Sequence, residues 1–213
     1  LDLVTRGTNA LTLSEELWAK LGAVAPWELY RQYSIDTMAS KDGQLLAYIR
    51  DDKGTATLSV YSLKTGDIQD LGIAPEECST YGNIQTDWDW AGHTFVFHCG
   101  LPARLYFGDV ERSRLHSTEA YPTDLYYGLA ISSAGDKVAY TANDDNWTLS
   151  VAFLDSGEVL EVSSGGIAPT WSVDGNRVYF TRSTEDPIRF DACEVYLYDL
   201  ELESEVRIYP PTG

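Results

Sequence analysis

Residues Trp171-Ser172-Val173-Asp174-Gly175 lead into an apolar run that contains Val178, Tyr179 and Phe180. Asp-Gly is a tight-turn signal, because Gly takes a positive φ without a Cβ penalty. The stretch therefore reads as the bend of a hairpin with a buried strand beyond it. The same layout occurs three more times. Ser40-Lys41-Asp42-Gly43 precedes Leu45, Leu46, Ala47 and Tyr48; Trp90-Ala91-Gly92 precedes Phe95, Val96 and Phe97; Ser132-Ser133-Ala134-Gly135 precedes Val138, Ala139 and Tyr140. The four glycines stand 49, 43 and 40 residues apart. A strand-built repeat of about 40–50 residues has the period of a propeller blade.

About ten to fifteen residues after each turn comes a second hairpin signal. Leu58-Ser59-Val60-Tyr61 is followed by Lys64-Thr65-Gly66-Asp67 and Ile68. Leu149 to Phe153 is followed by Asp155-Ser156-Gly157-Glu158 and Val159. Val195 to Asp199 is followed by a turn without Gly near residues 201–204 and then by Val206 to Tyr209. The second copy is degraded, with Leu105-Tyr106-Phe107, Asp109 and Leu115. Each unit thus predicts four short strands, a to d, and the chain reads as an all-β propeller. The expected blades cover residues 33–72, 73–118, 119–163 and 164–213.

The copy at Trp171 to Phe180, taken with Val195 to Leu200, resembles the TolB-like (WD-repeat-like) propeller repeat, which runs Trp-Ser-Pro-Asp-Gly, strand, aromatic-Asp strand. Val173 stands where that pattern has Pro, and the other three copies are partial. The resemblance covers residues 33 to 209. It implies a fold and says little of function, because propellers host many functions. It also implies that a–b and c–d turns share one end of each blade, while b–c and d–a loops share the end where propellers bind ligands.

The first 32 residues read differently. Leu1, Leu3 and Val4 alternate, Arg6-Gly7-Thr8-Asn9 turns, and Leu11 and Leu13 alternate again, which is the layout of a c–d hairpin and so of half a blade. Ser14 to Gly22 reads as a short helix, with Ser14 as N-cap, Glu15 and Glu16 at the positive end of the dipole and Gly22 as C-cap. Two architectures fit: a segment of a longer propeller, or four blades that close with the hairpin as an extension. The start at Leu1, with no basic region before an apolar stretch, reads as a mature or excised product.

Charge narrows the partners. The 213 residues hold 15 Lys+Arg against 33 Asp+Glu, a formal net charge of −18. Nucleic acid needs clustered cations to displace its counterions, and anionic membrane surfaces need the same. No run approaches the ~18 apolar residues that span a bilayer. The 14 Tyr and 6 Trp within a 44% hydrophobic composition supply material for a core.

Candidate binding residues follow from the acidic b–c loops, Asp51-Asp52, Asn143-Asp144-Asp145-Asn146, and Glu185-Asp186 with Asp191. Trp147 sits beside the second of these, and the d–a segments add Tyr81, Tyr121, Tyr126 and Tyr127. A negative rim with exposed aromatics suits a basic protein segment, a cation or a stacked sugar; a solvated acidic surface is the plainer alternative. The expected role is a non-enzymatic protein-binding scaffold. The alternatives are a subunit that self-associates through blade edges, and the gating propeller of a prolyl-oligopeptidase-type hydrolase.

Catalytic and metal signatures are missing from the sequence. The acidic tetrad lacks the spacing of a calcium loop. His93, His98 and His116 sit in no His-Glu-x-x-His and accompany no Cys-x-x-Cys. There is no Gly-x-Ser-x-Gly and no phosphate-binding glycine loop. No cofactor or metal is expected. Asp87 and Asp89 flank Trp88 and read as turn-formers. Asn146-Trp147-Thr148 is a glycosylation sequon. Cys78 precedes strand a of the second blade and Cys99 closes its strand b, so a Cys78–Cys99 bridge is geometrically reasonable. It would close a loop of about 20 residues, contribute roughly 3 kcal/mol and fit an extracytoplasmic location. Cys193 is then left as a buried thiol at the start of a c strand.

Overall fold

A computed structural model of the chain describes residues 39–52, 55–73, 86–89, 91–99, 104–118, 125–142, 146–183 and 193–209. The expected N-terminal hairpin and helix lie outside them. The chain divides into two units, Leu1–Thr118 and Glu119–Gly213.

In the first unit, β1 (Leu45–Asp52), β2 (Thr55–Ser62) and β3 (Ile68–Ile73) form one sheet in that order. Ala39 adds a fourth position by bridging to Leu46. A second sheet runs β4 (Thr86–Trp88), β5 (Thr94–Cys99), β6 (Arg104–Asp109), β7 (Arg114–Thr118). In the second unit, β8 (Leu125–Ile131), β9 (Lys137–Ala142), β10 (Leu149–Phe153) and β11 (Val159–Ser163) form one sheet. There, β12 (Gly166–Trp171), β13 (Arg177–Ser183), β14 (Cys193–Asp199) and β15 (Ser204–Tyr209) form the other. Within each sheet, neighbours in sequence are neighbours in space and pair antiparallel.

One turn is built four times. Gly43, Gly92, Gly135 and Gly175 have φ of 68°, 73°, 73° and 69°, which an L side chain would resist. Each glycine N–H donates to the carbonyl three residues back, on Ser40, Asp89, Ser132 and Ser172 respectively. Each of those residues donates its own N–H, at 2.9 Å, to the carbonyl five residues ahead. Side chains complete the turn. In the fourth blade the Ser172 hydroxyl donates to Asp174, while Arg177 N–H and Asn176 N–H donate to Ser172 Oγ and Asp174 Oδ1. Ser40 and Asp42 repeat this. In the third blade the carboxylate has moved past the glycine to Asp136. The hydroxyl donated by Ser40 leads the bonds that hold the Asp42 carboxyl below its usual range, and Ser172 does the same for Asp174.

A second bond is also repeated four times. Leu63, Val110, Leu154 and Leu200 donate their N–H to the carbonyls of Gln44, His93, Asp136 and Asn176, the residues directly after the four glycines. This ties the end of each c strand to the a–b turn, so both turns lie at one end of the blade.

Strand b carries the core. Three residues after each glycine stand Leu46, Phe95, Val138 and Val178; five after stand Tyr48, Phe97, Tyr140 and Phe180, all buried. Period 2 puts both positions on one face. The opposite face is buried too, by Ala47, Val96 and Ala139, as stacked sheets require. In the second unit, Ala139, Leu149, Val151 and Val162 of one blade pack against Val178, Phe180 and Tyr198 of the next. Truncating a ring such as Phe180 at such a place costs about 3–5 kcal/mol.

Neighbouring blades also meet turn on turn. Trp171 Nε1 donates to the Ala130 carbonyl at 2.9 Å, and Ser133 Oγ donates to the Val173 carbonyl at 2.7 Å. The Trp of the fullest repeat is thereby a tie to the preceding blade. In the first unit Lys41 reaches Asp87 of the next blade at 3.4 Å.

Candidate functional site

In the second unit, the connection from β9 to β10 meets the connection from β11 to β12. Asn146 is exposed and Trp147 half-buried. Trp147 has a φ of 52°, a left-handed backbone that is rare for a bulky residue and costs about 1–2 kcal/mol. Hydrogen bonds hold it there. The Gly165 N–H donates to the carbonyls of Asn146 at 2.8 Å and Trp147 at 3.1 Å, and Ser164 Oγ donates to the Asn146 carbonyl at 3.3 Å. Ala142 N–H closes the loop on the Thr148 carbonyl at 2.8 Å. The b–c and d–a loops of this blade therefore share one end, opposite the glycine turns.

Behind this junction lies Arg182, near the end of β13. A Cβ on Gly165 would meet its Cγ at 3.5 Å. Its guanidinium lies 4.2 Å from the centroid of the Tyr196 ring. Nη2 donates to the Ser163 hydroxyl of the preceding blade and to Glu205 at 2.7 Å. Glu194 accepts from the Tyr196 hydroxyl at 2.5 Å and from Arg207 at 2.6 Å. These donors, Tyr196 first, hold the Glu194 carboxyl below its usual range, and the same bond pushes the Tyr196 hydroxyl up. Each carboxylate carries an arginine. The cluster holds two ion pairs, meets at Tyr196, and ties β13, β14 and β15 to Ser163 of the preceding blade.

The residues proposed from sequence divide into three groups. Trp147 and Asn146 stand at the junction, although Trp147 is half-buried rather than exposed. Asp51 and Asp52 are not loop residues: they end β1, opposite Ala56 and Thr55, because the hairpin keeps pairing almost to its tip. Tyr126 and Tyr127 likewise lie within β8, where the register shifts between Leu125 and Leu129; aromatic residues favour strands. The side chains of these four residues and of Cys99, together with all of Asp144, Asp145 and Cys78, lie outside the described residues. Cys193 opens β14, half-buried, opposite Ser183. Asp89 is a turn-former, whereas Asp87 sits inside β4.

His98 is a buried strand residue, His93 lies 3.3 Å from Glu111 in an exposed turn, and His116 is on β7. Among the described residues no group of three His, Cys, Asp or Glu is placed to hold a metal ion. Sequence reading did not find Arg182, Glu194, Glu205 or Arg207. The available signal was opposite charges at the two ends of the β13–β14 connection.

No family model matches the sequence, and no curated relative does. Solved structures do match. TolB from Acinetobacter baumannii aligns with a TM-score of 0.54 at 13% identity, over 82% of this chain and 43% of that one. Oligogalacturonate lyase from Vibrio parahaemolyticus gives 0.53 at 15% identity, over 83% and 52%. A prolyl endopeptidase gives 0.53 at 15%, over 80% and 28%. The chain spans about half or less of the length of these three structures. At such identities the likeness is one of fold. Antiparallel sheets phased by one recurring turn, and shared with these structures, give this chain the blades of a β-propeller, similar in fold to those of TolB.

Proposed function

We propose that the chain is a binding module that engages a protein partner through the loop end of its blades. The observation that carries this reading is Trp147. Its strained backbone is fixed by the neighbouring d–a turn, at the loop end of a sheet whose opposite end is occupied by turns. Strain of this kind collects where a side chain must be presented in one orientation. The net charge of −18 selects a basic segment as partner and speeds the encounter. The reading includes an extracytoplasmic location, which a Cys78–Cys99 bridge would accompany.

The test is capture of basic proteins by the immobilised chain. Trp147→Ala should weaken capture at least tenfold. The quadruple change Asp51→Asn, Asp52→Asn, Asp144→Asn and Asp145→Asn should weaken capture and reduce its salt dependence. Capture unchanged by both would sink the proposal.

A second reading is favoured by the match to prolyl endopeptidase, of which the chain spans only 28%. It makes the chain the propeller portion of such a hydrolase. Peptide turnover that appears only when a catalytic domain is supplied alongside the chain would support it.

A further inference from the structure

We propose that β15 is an association edge through which two copies of this chain join, antiparallel, across a two-fold axis perpendicular to the sheet. The strand is the last in its sheet, so one side of its backbone faces away from β14. Such edges are usually guarded by charged side chains. Here the two charges of the strand are drawn onto its own sheet, Glu205 by Arg182 and Arg207 by Glu194. Beside these paired charges the strand exposes apolar side chains: Val206 is 53% exposed, Ile208 42% and Tyr209 61%. The other outer strands of these sheets are guarded differently. Glu161 stands exposed in the middle of β11, and β7 begins with exposed Arg114. On β3 the exposed Ile68 and Ile73 lie at opposite ends.

Charge selects a second copy as the occupant. With the axis at Val206, antiparallel pairing sets Val206 against Val206 of the partner subunit. It sets Glu205 against Arg207 of the partner subunit, and Arg207 against Glu205 of the partner subunit. Opposite charges directly across strands are favourable. Glu205 and Arg207 share a face, by period 2, so the ion network of each copy continues into the other. A single strand edge buries less than a standard interface, and the association is therefore weak and concentration-dependent.

The test is light scattering of the purified chain between about 5 and 500 µM, in 0.15 M salt to screen the repulsion of two acidic molecules. The mass should rise from monomer towards dimer. Val206→Lys should stay monomeric throughout with an unchanged circular dichroism spectrum, whereas Val159→Lys on β11 should assemble like the wild type. Under mild oxidation Val206→Cys should give a disulfide-linked dimer beyond the wild-type background, and Ile208→Cys should not. A wild-type mass that stays monomeric at 500 µM overturns the proposal. So does a Val206→Lys variant that assembles normally, or cross-linking at position 208 in place of 206.

Discussion

The carboxylate of Asp89 and the hydroxyl of Ser172 perform the same task in two blades. Each accepts the amide proton of the residue five positions on, Thr94 at 3.2 Å and Arg177 at 3.0 Å. Asp89 goes further. Its other oxygen accepts the His93 N–H at 2.9 Å, the role that Asp174 plays for Asn176 in the fourth blade. One buried carboxylate replaces a Ser–Asp pair. Asp89→Ala should therefore cost about 2–3 kcal/mol in urea denaturation, because two amides lose a charged acceptor. Asp89→Ser should restore roughly half of that, and Ser172→Ala, in a more exposed turn, should cost about 1 kcal/mol.

The repeat was legible because its period lies in local chemistry. A positive-φ glycine, a side-chain acceptor three residues before it and an aromatic five residues after it all fall within nine residues. Asp89 reads as a turn-former from the sequence, but pairing it with Asp87 hides its part as acceptor for two amides. Only the alignment of Asp89–Gly92 on Ser172–Gly175 shows what it does. The loop end was barely legible. Arg182 meets Ser163, Glu205 and Tyr196 through register across strands and between blades, and no spacing along the chain encodes those meetings. Asp51 and Asp52 misled for a related reason, since acidic residues read as loop until strand pairing carries the ladder through them.

His98 makes the stability of the first unit depend on pH. It is buried in β5, its Nε2 takes no hydrogen bond among the described residues, and burial pushes its pKa down to about 4. The unfolded chain protonates near pH 6.5, so between pH 6.5 and 4 the unfolded state binds the extra proton. The stabilisation is complete above pH 6.5 and drains away as pH falls towards 4, at up to about 1.4 kcal/mol per pH unit. Urea midpoints measured at pH 7.5, 5.5 and 4.5 should fall in that order. His98→Phe should flatten the dependence across this window. An equally steep profile in that variant would assign the effect to other groups.

Gly128 and Ala168 sit at corresponding bulges in β8 and β12, with positive φ of 100° and 52°. They tolerate substitution in opposite senses. A Cβ on Gly128 would lie 2.5 Å from Pro169 Cδ and 3.1 Å from Ala168 Cα, so Gly128→Ala should cost 2 kcal/mol or more, roughly. At Ala168 the side chain is exposed and the backbone is left-handed, so Ala168→Gly removes strain and should stabilise by about 0.5–1 kcal/mol. Thermal melts of the two variants should move in opposite directions. A destabilised Ala168→Gly would mean that the methyl group packs more than its exposure indicates.

Arg182 joins β13 to Ser163, Glu205 and Tyr196, and its contributions can be separated. Its ion pair with Glu205 leaves 28% of each side chain exposed, and solvent screening limits the pair to about 1 kcal/mol. Stacking on Tyr196 adds a further 0.5–1 kcal/mol, roughly. The bond to Ser163 fixes one blade against the next. Arg182→Lys keeps the charge but loses the planar stack and the fork of donors, and should cost about 1 kcal/mol. Arg182→Met should cost about 2 kcal/mol. Glu205→Gln in the Arg182→Met background should add almost nothing, which a double-mutant cycle on urea midpoints would read directly. If the two single losses simply added, Arg182 and Glu205 would be stabilising separate contacts.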